Sequence, residues 1–200
     1  MSRRGILALC GLLYSTNNFA GHSMLNAFAG IPWLPPAGIT PDSPLYRLER
    51  WREQAIWQLT RPITAQVALD LNFARERLAE AEAMVRRGNT QAMAIAVADY
   101  RVSVERAARG VFAAAADAQP PLLEMTVNAL LEHQYIIATD YQDLPRQSRG
   151  ALAQIIVIAS TNYTALAEHL PRRSKEALFF KEEEVRWSWE MALAADAQGL

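Results

Sequence analysis

The chain has 200 residues, 51% of them hydrophobic and 20% charged, and a formal net charge of −1. That composition supplies the core of one domain, or of one domain behind an export signal, and excludes a chain disordered throughout. The near-neutral balance shows no basic stripe and argues against a general nucleic-acid binder, while the single cysteine, Cys10, excludes an internal disulfide and any cysteine-based zinc or iron–sulfur site.

Residues 1–29 read as a signal peptide. Arg3 and Arg4 form a positive start, Gly5 to Tyr14 an apolar run, and Ala27-Phe28-Ala29 a small-x-small cleavage site before Gly30. The expected location is therefore outside the cytoplasm, periplasmic or extracellular, with an uncleaved N-terminal tether as the alternative. The apolar run is far shorter than the ~20 residues of a spanning helix. Residues 30–42 form a Pro-rich linker, because Pro32, Pro35, Pro36 and Pro41 cannot continue a helix. Trp33 and Leu34 within it are placed to fold back as a small apolar clip.

Residues 43–200 read as a helical bundle domain. Ser43-Pro44 is a helix start, with Ser43 as cap and proline in the first turn, where its missing N–H costs nothing. The first helix should reach Leu59 and bury Leu45, Leu48, Ala55, Ile56 and Leu59, which recur at three- and four-residue steps. The second, Ile63 to Arg87, carries a stripe of Ile63, Val67, Leu71, Ala74, Leu78, Ala81 and Val85. Its charges, Arg75 to Glu82 and Arg86-Arg87, read as a solvated face, with Glu82 and Arg86 at a favourable pairing distance. Gly88 is placed to take a left-handed turn and Asn89 or Thr90 to cap the next helix, giving an antiparallel hairpin.

The third helix is expected from Gln91 to Ala118, loosened at Gly110 and stopped by Gln119-Pro120-Pro121. A fourth follows from Leu122 to about Asp140. The fifth, Gln147 to Leu170, holds the most apolar run after the signal, Ala151 to Ala159, and is expected to be the central core helix. The sixth runs from near Ser174 to about Ala195. Alternating strand patterns are absent, so the fold is expected to be all-α, a five- to six-helix antiparallel bundle.

At Pro41-Asp42-Ser43-Pro44-Leu45-Tyr46-Arg47-Leu48-Glu49-Arg50 the chain resembles the DUF5667 family of bacterial and archaeal extracytoplasmic domains, which open on P-x-D-P-L-Y-x-hydrophobic-K/R. Here Ser43 is inserted before the proline. The hairpin from Arg75 to Asn89 is similar too, and the resemblance covers roughly Ile39 to Arg109, leaving helices four to six outside it. It implies a helical fold behind a signal or anchor, and no activity, cofactor or site residue.

Candidate chemistry is sparse. His22, His133 and His169 are the only imidazoles, and no Glu has a His three residues on, which a ferritin-like di-metal bundle requires. His133 and His169 read as surface or capping residues, and no metal or cofactor is expected. Glu182-Glu183-Glu184 spreads around a helix and reads as solvated. Tyr135, Tyr141 and Tyr163 fit core packing or a cleft between helices four and five, and Ser160-Thr161 reads as back-bonding to helix carbonyls. Trp187 and Trp189, two residues apart, point about 200° apart. Trp189 with Val185 and Leu193 is assigned to the core, and Trp187, beside Glu183 and Arg186, to an exterior contact surface.

The expected function is that of a non-enzymatic exported bundle that binds a partner protein or itself, or serves as an envelope structural module, with peripheral membrane contact as a further option. Two alternatives stand. One is a small-molecule or lipid carrier with a cavity between helices three and five. The other is a hydrolase assembled from Glu124, Glu132, His133 and Tyr135.

Overall fold

The computed structural model describes residues 27–31, 33–141, 144 and 146–197; most of the expected signal segment lies outside them. Two units are described separately, Met1–Ile31 and Pro32–Leu200. In the first, Ala27 to Gly30 form a turn closed by Ile31 N donating to the Phe28 carbonyl at 3.2 Å.

The second unit is all-helical among the described residues. Its helices are α1 (Tyr46–Leu59), α2 (Ile63–Arg86), α3 (Thr90–Ala113), α4 (Gln119–Asp140), α5 (Arg146–Ala167) and α6 (Arg172–Ala197). The frame is the α2–α3 hairpin. Gly88 takes φ +69°, and Asn89 N reaches the Met84 carbonyl at 2.9 Å while Gly88 N reaches that of Val85 at 2.9 Å, a Schellman closure. Asn89 then caps α3 by accepting from Ala92 N at 3.1 Å. The expected stripe of α2 is buried from Val67 to Val85 against Met93, Val97, Tyr100, Val104 and Val111 of α3.

The remaining helices build outwards from this hairpin. α4 packs on α5 and α6 and touches α2 and α3; α5 also packs on α3. The break between α3 and α4 falls earlier than Gln119-Pro120-Pro121: α3 ends at Ala113 rather than Ala118, where Ala114 turns extended, and Pro120 and Pro121 occupy the first turn of α4, where proline is tolerated. Nor is α5 the central helix. Leu152, Ile155, Ile158 and Ala159 are buried, but Val157 is exposed, so α5 covers α3 and α4 with one face only. By length and composition alone, Ser148–Ala167 would suffice to cross a membrane.

Gly110 corrects a third expectation. α3 does not loosen there; instead the missing side chain lets α3 approach α2, because a Cβ at Gly110 would lie 2.6 Å from Val67 Cγ2. Val67 is buried and β-branched, with little freedom to move aside. Gly110→Ala gains ~1 kcal/mol of helix propensity but overpacks this crossing. Urea unfolding should show a net loss of about 1–2 kcal/mol, recovered in part by adding Val67→Ala. A stabilised Gly110→Ala would show that the crossing has room.

Candidate interaction site

On α1, Tyr46, Arg50, Glu53 and Trp57 follow one another at steps of four, three and four residues and so share one face. Among the described residues no helix backbone packs closely along α1, and these long side chains span the gap. Arg77 of α2, 0% exposed, meets them. Its Nη1 donates to Tyr46 Oη at 2.9 Å and its Nη2 to Glu53 Oε1 at 2.7 Å, while Glu80 Oε1 lies 3.0 Å from Nη2. Tyr46 Oη donates to Asp99 of α3 at 2.6 Å, and Arg50 bonds Glu53 while its Nε lies 3.2 Å from Asp99. Three helices are thereby joined through one buried network.

Burial dominates the protonation of this network. It works against the Arg77 charge, yet Glu80, Tyr46 and Glu53 outweigh it and hold the guanidinium above its ordinary value. Glu80, only 2% exposed, is pushed up to about 8 by burial, with Arg77 opposing the rise and Glu53 and Glu49 reinforcing it. Burial likewise raises the Tyr46 hydroxyl. Burial, reinforced by the neighbouring carboxylates, thus keeps the Glu80 proton in place near neutrality.

A second anchor holds the far end of α1. Trp57 Nε1 donates to Asp70 Oδ2 at 3.1 Å, Arg106 Nη2 lies 2.5 Å from Asp70 Oδ1, and the Arg106 guanidinium sits 5.0 Å above the Trp57 ring. At the near end, Arg87 donates to Thr40 and Asp42 at 3.2 Å each, fixing the turn that leads into α1. Ser43 Oγ accepts from Leu45 N at 3.2 Å, so α1 starts at Tyr46, two residues later than the proline predicts. The linker is clipped by its backbone, with the Trp33 carbonyl accepting from Arg75 at 2.6 Å, while the Trp33 ring stays exposed.

These anchors turn α1 over relative to the sequence expectation. Leu45, Leu48, Ile56 and Leu59, assigned to the core, face outward, and Trp51 joins them; Leu48 is 62% exposed, Trp51 72% and Leu59 78%. The residues taken for a solvated face of α2, Arg77 and Glu80, are the buried ones. The apolar face of α1 is thus an exterior surface held open by a polar interior.

The other candidate residues are scattered. His133 is no surface histidine: it is buried, with Nδ1 3.2 Å from Tyr100 Oη, and burial pushes it down to about 3. Glu124 lies outside, bonded to Ser174, and Glu132 and Tyr135 are half-buried, so the hydrolase set is not brought together. His169 is exposed at the end of α5 with its ring 5.1 Å from Phe112. Glu182 accepts from Tyr163, Glu183 pairs with Arg186, and Glu184 is buried rather than solvated. Ser160 back-bonds to the Val157 carbonyl. Trp187 is 42% exposed, Trp189 is half-buried against Tyr141 with ring centroids 4.9 Å apart, and Leu193 is exposed rather than in the core. Hollows of about 460 Å³ among Tyr46, Arg50, Ile95 and Asp99 and of about 260 Å³ among Trp57, Val67, Asp70, Arg106 and Gly110 flank α1, and one of about 170 Å³ lies where Val111 and Phe112 of α3 meet Leu123 and His169. No cluster of metal-ligating side chains occurs among the described residues.

A family model, Domain of unknown function (DUF5667), matches residues 38–155. The match runs past the expected limit at Arg109 to the middle of α5, taking in all of α4. No curated protein and no solved structure matches the chain.

The network has a pH signature. The folded chain holds the Glu80 proton up to about pH 8, whereas an unperturbed glutamate releases it near 4.5. Between those values the native state binds more protons than the unfolded one, so stability is greatest at the acid end and falls as pH rises. Glu80→Gln carries its hydrogens at every pH. Thermal melts at roughly pH 5 and pH 8 should show the wild-type Tm dropping more steeply than the variant's, and equal slopes would place the titrating group elsewhere.

Proposed function

The chain belongs to the DUF5667 family, and on that premise we propose that it is an exported interaction module, a rigid helical scaffold that displays the outer face of α1 for docking. The observation that carries this reading is that face: a helix held by buried ion pairs on one side exposes leucine, isoleucine and tryptophan on the other. Each such side chain forgoes roughly 1.5–3 kcal/mol of burial in the isolated chain, and contiguous exposed apolar surface marks contact sites. Export rests on the order of Arg3-Arg4, the apolar run and Ala27-Phe28-Ala29, which places the mature N-terminus at Gly30. An uncleaved segment would instead tether the module.

A second surface has its own support. Phe180, Trp187 and Met191, separated by seven and four residues, share one face of α6 and are all exposed, with the Glu183–Arg186 pair beside them. This row keeps Trp187 as a partner contact, subordinate to α1 because the α1 face is more exposed. The carrier alternative has less support, since the hollows beside α1 carry ion pairs in their walls, Asp70–Arg106 in one and Arg50–Asp99 in the other.

Replacing Leu48 and Leu59 together by glutamate tests the module directly. Both lie at exposed positions, where substitutions shift stability by about 0.5 kcal/mol or less, so Tm should stay within a few degrees. In cell fractionation the wild-type chain should sediment with the envelope and the double variant should be released. Retention of the variant, or a collapse in Tm, would refute α1 as the docking face.

A further inference from the structure

Resting on the reading of α1 as a docking face, we propose that its occupant is the surface of an anionic lipid bilayer, on which α1 lies flat with its apolar side chains inserted and its arginines at the phosphates. The charge on this face points to that occupant. Every exposed charged residue between Leu45 and Pro62 is an arginine: Arg47, Arg52 and Arg61. The two acids of the same stretch are less exposed: Glu53 is buried in the Arg77 network, and Glu49 is half-buried with its Oε1 3.9 Å from Arg52 Nη2. Arg52 stands between Leu48 and Ile56, one turn from each, and is 67% exposed in its side chain; Arg47 stands one turn before Trp51.

This charge distribution disfavours a second copy as the occupant. Arg52 lies at the middle of α1, so antiparallel pairing of two copies brings Arg52 against its own equivalent, and parallel pairing aligns all three arginines. Neither arrangement offers an exposed carboxylate to receive them. A bilayer containing acidic lipids offers phosphates along the whole length, about 21 Å for fourteen residues. Arginine stems lie along apolar surface while their heads reach outward, which lets Arg52 remain within the apolar stripe. Trp51 is an amphipathic ring of the kind enriched at the membrane–water boundary. A helix with an apolar face of Leu and Trp and arginines as its charges is the pattern of an in-plane interfacial helix. Here the polar side of that helix is held by Arg77 and Asp70 rather than by water, so the scaffold presents it already folded.

The test uses the purified full chain with phosphatidylcholine vesicles, with and without about 30% phosphatidylglycerol, read by vesicle flotation. Wild-type protein should bind the anionic vesicles at least tenfold more tightly than the neutral ones, and about 0.5 M NaCl should weaken that binding. Arg47→Gln/Arg52→Gln/Arg61→Gln and Leu48→Glu/Leu59→Glu should each weaken it at least tenfold at unchanged Tm, and Phe180→Glu on α6 should leave it intact. Binding that is indifferent to lipid charge and to both α1 variants would overturn the proposal, placing the contact in the N-terminal segment. So would a dimer, seen by sedimentation without lipid, that Leu48→Glu abolishes in a chain that ignores vesicles. Absence of vesicle binding while envelope retention in cells still depends on Leu48 and Leu59 would overturn the bilayer and assign an acidic protein partner, leaving the module reading standing. Loss of that dependence in cells would remove the module reading itself.

Discussion

The orientation of α1 depends on one buried cation. Arg77 is fully enclosed, and an enclosed guanidinium without partners costs several kcal/mol. Tyr46 and Glu53 of α1 are two of the partners that relieve that cost, together with Glu80 of α2 itself. Rotating α1 to bury its leucines would strip Arg77 and Glu80 of the α1 groups and expose Glu53 and Arg50 in exchange. The apolar burial gained would be of the same order as the ion-pair energy lost. The balance is tipped by the second anchor, because Trp57, Asp70 and Arg106 fix the same rotation at the other end of the helix.

A division of labour follows. The α2–α3 hairpin is the apolar frame, locked by the Schellman turn at Gly88 and by the close crossing at Gly110. α1 is held to that frame through the hydrogen bonds, ion pairs and ring contacts of Tyr46, Arg50, Glu53 and Trp57, which frees its apolar side. Buried ion pairs contribute little net stability compared with apolar residues of the same volume. Their role here is to select one rotation of a helix that hydrophobicity alone would turn the other way.

The sequence was legible where burial follows apolar periodicity. The all-α class, the six helices, the hairpin turn with its Asn89 cap, the Glu82–Arg86 pair and the stripe from Val67 to Val85 are all found close to where the pattern places them. It misled on α1 for a physical reason: the same periodicity describes a face toward the core and a face toward an absent surface, and only the partner helix decides between them. A signal was present in the other face. Tyr46, Arg50, Glu53 and Trp57 form a polar-aromatic row with helical spacing, and Arg77 and Glu80 form a matching row on α2; reading charges on α2 as solvated hid the match. His133 was misplaced similarly, since an imidazole satisfied by Tyr100 is indistinguishable in sequence from one facing water. Trp187 and Trp189 do lie on opposite sides of α6, but Leu193 departs from the expected core face.

The most direct measurement is residue-resolved hydroxyl-radical footprinting of the full chain without lipid or partner, because it reads which face of α1 meets water. The account predicts heavy labelling at Leu48, Trp51 and Leu59 and protection at Tyr46, with Arg77→Met raising the labelling of Tyr46 as the anchor is lost. Protection of Leu48 and Leu59 with strong labelling of Tyr46 in the wild-type chain would show that hydrophobic burial orients the helix, and would contradict both the role of Arg77 and the surface argued from it.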